Sequence, residues 1–173
     1  MLTRSRFIEV LGPALALLLA AAPGADAQQA VIVVRHAEKA DQTADAPLSD
    51  KGRARAKALA DLLRGAGVTH VITSEYLRSR QTAVPLATAN GLTVEQVPAR
   101  DLPALVARLR ALDPASIVLV VGHSNTIPPM LTVLGWPNTL DLREGDYDNV
   151  FVLAPQAGQR ASMVRLKYGQ PSS

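Results

Sequence analysis

The sequence predicts an α/β fold in which helices cover both faces of a mostly parallel sheet. Strand-like and helix-like segments alternate from about residue 30 to residue 134. The strand-like segments are apolar on both faces, which is typical of parallel strands buried between helices. Two strand-like segments near the C-terminus are joined by a short turn-rich stretch, so we expect an antiparallel element there.

The first predicted strand covers residues 30–34, and the first predicted helix covers residues 49–64. The strand is a β-branched run that stops at an arginine and a histidine. In the helix, apolar residues recur at helical spacing. Ser49 is placed to cap the first turn, and two glycines end the helix at residues 65–67.

Four further segments continue the alternation. Residues 70–73 predict a short strand, and residues 77–89 predict a helix that ends at an Asn-Gly pair. Residues 92–97 are expected to be extended. Residues 101–112 predict a third helix, which an Asp-Pro pair closes.

The remaining elements include the most apolar strand. Residues 116–121 predict a buried strand, and residues 128–134 predict a short helix followed by a glycine. Residues 149–153 and 162–167 have the pattern of strands. The turn-forming residues at 155–158 favour a hairpin between these two strands.

The N-terminus has the pattern of a secretory signal peptide. Two arginines precede a short apolar stretch at residues 11–22, and an A-x-A cleavage site ends at Ala27. We therefore expect residues 1–27 to be removed and residues 28–173 to form one domain, in the periplasm or outside the cell. The stretch is short for a membrane span, so no stable membrane insertion is expected after cleavage; an uncleaved anchor is the alternative.

The charge pattern argues against a nucleic-acid partner. The chain contains 18 Lys and Arg, 15 Asp and Glu and no cysteine, with a net charge of +3. The basic residues are mostly scattered arginines, and the lysine-rich runs and aromatic platforms that suit single-stranded nucleic acid are missing from the sequence. A small anionic substrate is the expected partner.

Polar clusters follow three of the predicted strands. Arg35 and His36 follow the first strand, residues 74–78 follow the second, and residues 123–125 follow the strand at 116–121. In open α/β sheets, ligands bind outside the carboxyl ends of the strands. The sequence therefore predicts a single site at this edge.

The residue types at this edge favour phosphoryl transfer. The planar fork of an arginine matches phosphate oxygens, so Arg35 and Arg78 are candidates to bind a phosphoryl group. A neutral His36 is a candidate nucleophile, and the adjacent arginines are expected to lower its pKa. His123 would stabilise the developing charge. Because side chains supply the cations, this scheme requires no metal.

Four segments, in this order, resemble motifs of the histidine phosphatase superfamily, the phosphoglycerate-mutase-like group. They are Arg35-His36-Ala37-Glu38, Leu48-Ser49-Asp50-Lys51-Gly52, Ser74-Glu75-Tyr76-Leu77-Arg78 with Gln81-Thr82-Ala83, and Gly122-His123-Ser124-Asn125. The resemblance runs from about Val31 to Leu134. It implies a three-layer α/β/α sandwich that works without metal or cofactor.

The resemblance also implies roles for individual residues. His36 would be the phosphorylated nucleophile, and Arg35, Arg78 and His123 would complete the phosphate pocket. The compact size is similar to the small phosphohistidine-phosphatase type and speaks against a mutase. The implied activity is hydrolysis of phosphate monoesters or phosphohistidine.

Further substrate contacts are expected from Glu38, Ser124 and Asn125. Ser124 and Asn125 have a second interpretation as caps of the helix that follows them. Glu38 has a second interpretation as the ion-pair partner of Lys39 or Arg78.

The proton donor is the point at which the chain departs from the family pattern. The acidic insertion after the third strand is compressed to residues 97–102. Asp101 is the nearest candidate acid, but it is also well placed to cap the third helix, which is the favoured interpretation. Glu38 is the second candidate acid.

Two other functions stay open at this point. A zinc hydrolase would use His36, His123, Glu38 and Asp101 as ligands, although two arginines at the same edge would repel a dication. A non-catalytic periplasmic phospho-ligand-binding protein of the same fold would keep the pocket without turnover. The presence of His36 favours the enzyme.

Overall fold

The structure, a computed structural model, describes residues 30–155 and 159–172. The predicted signal peptide, its cleavage site and most of the predicted turn at 155–158 lie outside the described residues. Among the residues that are described, no helix has the length and hydropathy needed to cross a membrane.

Six strands and four helices alternate along the described chain. In order they are β1 (Ala30–Arg35), α1 (Asp50–Leu63), β2 (His70–Thr73), α2 (Leu77–Ala89), β3 (Val94–Gln96), α3 (Leu102–Arg110), β4 (Ile117–Gly122), α4 (Ile127–Val133), β5 (Asn149–Ala154) and β6 (Ser162–Lys167). Every predicted element is present, and most boundaries differ from the prediction by one or two residues.

The strands form one mixed sheet in the order β3-β2-β4-β1-β5-β6. Strands β1 to β4 are parallel to one another, whereas β5 pairs antiparallel with both β1 and β6. The predicted mostly parallel sheet with an antiparallel element near the C-terminus is therefore confirmed. The β1–β4 register places Arg35 opposite Gly122, which brings the residues that follow the two strands side by side.

Helices cover both faces of the sheet, which confirms the three-layer sandwich. On one face, α1 and α2 contribute Leu59 and Leu86 to a core with alternate residues of β1, β2 and β4. On the other face, α3 and α4 contribute Leu109 and Leu131 to a core with the intervening strand residues and Phe151. Burial of both faces explains why the central strands are continuous apolar runs.

Two helices begin at the caps that the sequence predicts. The Ser49 side chain accepts a hydrogen bond from the Gly52 amide and begins α1. The Asp101 carboxylate accepts from the Ala104 amide at 2.9 Å and begins α3. Each oxygen therefore satisfies an amide that the first helical turn leaves without a partner.

The start of α1 is packed directly against the chain behind β1. The Ser49 amide donates to the Glu38 carbonyl at 2.9 Å. A Cβ atom on Gly52 would lie 2.3 Å from the same carbonyl oxygen, so this position requires glycine for a close approach of two backbones. The contact fixes the segment that carries His36.

A Gly52→Ala substitution is expected to lower the free energy of unfolding by about 1–3 kcal/mol, because a backbone oxygen blocks the new methyl group. Urea unfolding followed by circular dichroism measures the loss. Gly65→Ala is the matched control, since a Cβ there meets nothing within 4 Å. Equal stability of the two variants would contradict the close approach.

Candidate active site

The two histidines at the carboxyl ends of β1 and β4 face each other. The His36 amide donates to the Gly122 carbonyl at 2.9 Å, which extends the β1–β4 pairing by one residue. The imidazole rings of His36 and His123 are 5.1 Å apart between centroids. Both side chains are largely buried, with 4% of His36 and 7% of His123 exposed. The predicted convergence of the two strand ends is therefore observed.

The hydrogen bonds of His36 determine which ring nitrogen carries a proton. Nδ1 lies 2.8 Å from the Ala37 carbonyl oxygen, which can only accept, so Nδ1 is the protonated nitrogen. Nε2 therefore holds the free electron pair. The Ala37 amide in turn donates to the Thr82 hydroxyl at 2.9 Å. Thr82 therefore holds the Ala37 backbone, and the Ala37 carbonyl in turn orients the imidazole of His36.

The pKa of His36 lies far below its ordinary value. Burial is the main cause, and the charges of Arg35 and Arg78 add to it, so that the pKa falls from 6.5 to about 3. The hydrogen bond to Ala37 acts in the opposite direction but is weaker than the burial effect. His36 is consequently neutral throughout the physiological pH range.

His123 is held in a similar environment. Its Nε2 lies 2.8 Å from the Ser74 hydroxyl, which also contacts Ser79, and the Tyr76 ring meets it edge-on at 5.3 Å. Burial is again the first cause of a lowered pKa, followed by the charge of Arg78, and the pKa of His123 falls to about 4. The free protein therefore holds both histidines neutral at pH 7.

Arg35 presents its guanidinium to the loop between α4 and β5. Nη1 donates to the backbone carbonyls of Arg143 and Glu144 at 2.9 and 2.6 Å. Nη2 donates to the Glu144 carboxylate at 3.0 Å. The guanidinium carbon also lies 4.1 Å from the centroid of the Tyr147 ring. Only 3% of Arg35 is exposed, so its charge is concentrated on these partners.

Arg78 lies at the start of α2, close enough for its charge to act on both histidines. Its Nη1 donates to the Ala44 carbonyl at 2.8 Å, and its guanidinium covers the Tyr76 ring at 4.2 Å. Its Nε is buried without a partner among the described residues. The charge of Arg78 lowers the pKa of both His36 and His123, so it belongs to the same pocket.

The structure binds Glu38 to Arg55 rather than to Lys39 or Arg78, which corrects the expected pairing. Arg55 Nε and Nη2 donate to the Glu38 carboxylate at 2.8 to 3.0 Å, and Lys51 lies 3.7 Å away. These hydrogen bonds and charges hold the pKa of Glu38 below its usual value despite burial. The carboxylate is therefore a structural anion, which leaves it unsuited to donate a proton.

The other predicted contact residues lie at the rim of the pocket. Ser124 donates to the Glu144 carboxylate at 3.1 Å. Asn125 is exposed, and Thr126 occupies the N-cap position of α4 without a side-chain capping bond, so the capping interpretation of Ser124 and Asn125 was wrong. Asp101 caps α3, as described above, and its side chain is exposed.

A cavity of about 300 Å³ opens beside His123. Its floor is formed by buried apolar side chains of the sheet and of α3 and α4, including Ile72, Leu105 and Met130. Its rim carries the exposed residues Asp101 and Asn125. Among the described residues, no three His, Asp or Glu side chains are grouped as a metal site.

The comparisons with known proteins agree with this arrangement. The solved structure of the protein histidine phosphatase SixA in complex with tungstate has a TM-score of 0.67 at 20% sequence identity, covering 80% of this chain and 96% of that one. The sequence model of the histidine phosphatase superfamily, branch 1, matches residues 31–101. Residues 31–101 therefore have the sequence pattern of the histidine phosphatase superfamily, and the fold of the chain is that of the SixA structure.

Further known proteins are similar over part of the chain or in fold. A probable phosphoglycerate mutase GpmB of Yersinia pestis is 35% identical over 91 residues, 48% of this chain and 42% of that protein. Its counterpart from Yersinia enterocolitica is 38% identical over 71 residues, 37% of this chain. The matched segments span only 33% to 42% of these curated relatives. A mycobacterial glucosyl-3-phosphoglycerate phosphatase shares the fold, with a TM-score of 0.64 and 18% identity, covering 82% of this chain and 99% of that one.

Sequence reasoning missed two residues of this pocket and its surroundings. Arg55 lies on the buried face of α1, and a charged residue on an apolar helix face is a signal for a buried ion pair. Glu144 lies in an irregular loop, where neither periodicity nor spacing distinguishes it from a surface residue. Its contact with Arg35 spans 109 positions in the sequence.

Acid is expected to destabilise the protein through its two buried histidines. Their pKa values are lowered from 6.5 to about 3 and 4, so below pH 6.5 the unfolded chain binds protons that the folded chain does not. Stability should therefore fall as pH decreases from 6.5 to 5, by up to about 1.4 kcal/mol per pH unit for each histidine. Urea unfolding at several pH values measures the slope.

A His36→Asn variant should show a shallower slope in the same window. The carboxylates with lowered pKa values begin to contribute only at lower pH, because their ordinary values lie at 4.5 or below. An unchanged slope in the variant would mean that His36 titrates normally.

Proposed function

We propose that the protein is a phosphatase that hydrolyses phosphate monoesters or phosphohistidine through a phosphohistidine formed on His36. The observation that supports this most directly is the free Nε2 of a neutral, oriented His36 on which the charges of two arginines act. A neutral imidazole with one nitrogen already donating is a competent nucleophile at the other nitrogen. The phosphatase names of the two structural neighbours point in the same direction.

In the proposed first step, Nε2 of His36 attacks phosphorus, and the bond from phosphorus to the leaving oxygen breaks. Negative charge on the equatorial oxygens is stabilised by the guanidinium groups of Arg35 and Arg78 and by His123. In the second step, water attacks phosphorus, the phosphorus–nitrogen bond breaks, and inorganic phosphate leaves. The arginines supply positive charge in both steps.

We take the reaction to be independent of metal and cofactor. Two permanent cations next to His36 supply the charge that a divalent metal would otherwise provide, and they would repel such a metal. Two of the four ligands of the alternative zinc site are engaged elsewhere, Glu38 by Arg55 and Asp101 by the first turn of α3.

The proposed substrate is a small phosphorylated molecule. The cavity beside His123 is large enough for the alcohol part of such a molecule, since small-molecule pockets begin at about 300 Å³. Sugar, lipid-headgroup and aryl phosphates differ in how well they would match its apolar floor, and a panel of monoesters ranks them. For location we propose export to the periplasm or beyond, on the signal-peptide pattern of residues 1–27.

A His36→Ala variant is expected to lose at least about 10³-fold of the wild-type kcat on p-nitrophenyl phosphate, because the nucleophile is removed. The wild type should also acquire an acid-labile phosphoryl group from substrate, and the variant should not. His70→Ala is the control, since His70 begins β2 at the opposite end of the sheet. Activity of the His36 variant near that of the control would exclude His36 as the nucleophile. A wild type that binds phosphate without ever becoming labelled would instead be a binding protein.

An Arg78→Ala variant is expected to bind vanadate about 10- to 100-fold more weakly, because a charge-assisted contact to the anion contributes about 1.5–3 kcal/mol. The inhibition constant against p-nitrophenyl phosphate measures the effect. Arg80→Ala, on the same helix, is the matched variant, because the charge of Arg80 is not among those that shift the pKa of His36 or His123. Equal inhibition constants for the two variants would remove Arg78 from the pocket.

A further inference from the structure

The pocket contains a carboxylate that the sequence motifs do not include. Glu144 Oε2 lies 3.0 Å from Arg35 Nη2, and its Oε1 accepts from the Ser124 hydroxyl at 3.1 Å. Glu144 therefore connects the arginine before His36 to the serine after His123. Both acids that the sequence offered are engaged elsewhere, Glu38 by Arg55 and Asp101 as a helix cap.

The main chain and the side chain of Glu144 are held differently. Its carbonyl accepts from Arg35 Nη1 at 2.6 Å, which fixes the backbone at the pocket. Its side chain is 87% exposed, so hydrogen bonds from Arg35 and Ser124 position the carboxylate with little surrounding packing. The carboxylate can therefore turn within the pocket while the backbone stays in place.

A phosphoryl group and the Glu144 carboxylate require the same donor. Nη2 of Arg35 now donates to Oε2, and a phosphate oxygen bound to this fork would replace it. The displaced carboxylate would remain within side-chain reach, since its backbone is anchored to the neighbouring nitrogen. Substrate binding thus frees a carboxylate next to the reacting group.

We propose that Glu144 is the proton donor to the leaving group, an inference that rests on the proposed phosphatase function. As Nε2 of His36 bonds to phosphorus and the phosphorus–oxygen bond breaks, the Glu144 carboxyl proton moves to the departing oxygen, which leaves as a neutral alcohol. The resulting carboxylate then accepts a proton from the water that attacks phosphorus, and phosphate leaves as the phosphorus–nitrogen bond breaks.

The charges around Glu144 explain how it becomes protonated only with substrate. In the free protein, Arg35 is the first cause that lowers the pKa of Glu144, followed by the Ser124 hydrogen bond, with a further contribution from Lys39. A bound phosphoryl dianion compensates the Arg35 charge and raises the pKa of the carboxyl group beside it. A monoester, whose second pKa is near 6, carries the required proton in its monoanionic form.

The histidines of the pocket are poor alternatives for this proton. Both are neutral in the free protein, with the pKa of His36 lowered to about 3 and that of His123 to about 4. In addition, Nδ1 of His36 is bonded to the Ala37 carbonyl, and Nε2 of His123 is bonded to the Ser74 hydroxyl. The charge of Arg35 is the first cause of the lowered pKa of Glu144, whereas burial is the first cause for both histidines, so an anion on Arg35 acts most strongly on Glu144.

A leaving-group series tests this role. Glu144→Gln should lower kcat/KM about 10²- to 10⁴-fold for an alkyl phosphate, whose alkoxide leaves poorly without a proton. The loss on p-nitrophenyl phosphate should stay below about fivefold, because that leaving group is stable as an anion. Since the side chain is exposed, the variant should fold, which circular dichroism checks.

Two matched variants separate proton donation from a loss of charge. Glu75→Gln removes a carboxylate whose charge acts on His123 but whose oxygen accepts from the Ala99 amide. Asp101→Asn changes the helix cap. Each of these two variants should change kcat/KM for the alkyl phosphate and for p-nitrophenyl phosphate by the same factor. Glu144→Gln should instead change the ratio of the two kcat/KM values at least about 20-fold.

Two results would overturn the inference. An equal loss on both substrates would make Glu144 a positioning residue, and an equal gain on both would make it only a competitor for Arg35. A wild type that hydrolyses neither ester and carries no phosphoryl label would instead refute the proposed function itself. The acid-labile phosphoryl group that the wild type acquires from p-nitrophenyl phosphate separates this last case from the other two.

Discussion

The parallel pairing of β1 with β4 is the constraint on which the pocket depends. Arg35 lies opposite Gly122, and one further backbone hydrogen bond joins the His36 amide to the Gly122 carbonyl. Side-chain direction alternates along a strand, so a shift of one residue would turn one of the histidines toward the opposite face of the sheet. The buried residues of both faces oppose such a shift, since it would exchange the two cores. Core packing and active-site geometry are therefore set by the same register.

Burial gives the pocket its chemical character. The same desolvation that keeps His36 neutral also strengthens the interactions of the arginine charges beside it. The arginines add to the low pKa of the imidazole and are positioned to bind the anion that it attacks. A nucleophile with a free electron pair and a cationic pocket are thus compatible here because the imidazole stays neutral while the arginines carry the positive charge. Thr82, a residue of the third motif, accepts a hydrogen bond from the Ala37 amide and so helps to fix the backbone next to His36.

The fold and the pair of histidines could be predicted from the sequence because local patterns encode them. Apolar runs that end in Arg35-His36 and in Gly122-His123 predict both the strands and the polar groups at their ends. The partners of charged side chains are a different matter, because nothing in the local pattern selects them. An ion pair of Glu38 with Lys39 or Arg78 was one of its interpretations, yet Arg55 binds it, and Glu144 reaches Arg35 across 109 positions. Such contacts depend on how the loop between α4 and β5 folds back over the sheet edge, for which the sequence carries no periodic signal.

The buried Arg55 also connects the pocket to the last described residues. Besides Glu38, its guanidinium donates to the backbone carbonyls of Tyr168 and Gln170 at 3.1 and 2.9 Å. Proteolytic trimming into residues 168–170 would leave a buried guanidinium short of acceptors, at a cost of about 1–3 kcal/mol for each donor left without one. Its remaining partner, Glu38, is separated from His36 by a single residue. Loss of residues 168–170 would therefore destabilise the segment that carries His36. A preparation cleaved there should lose activity before the sheet unfolds.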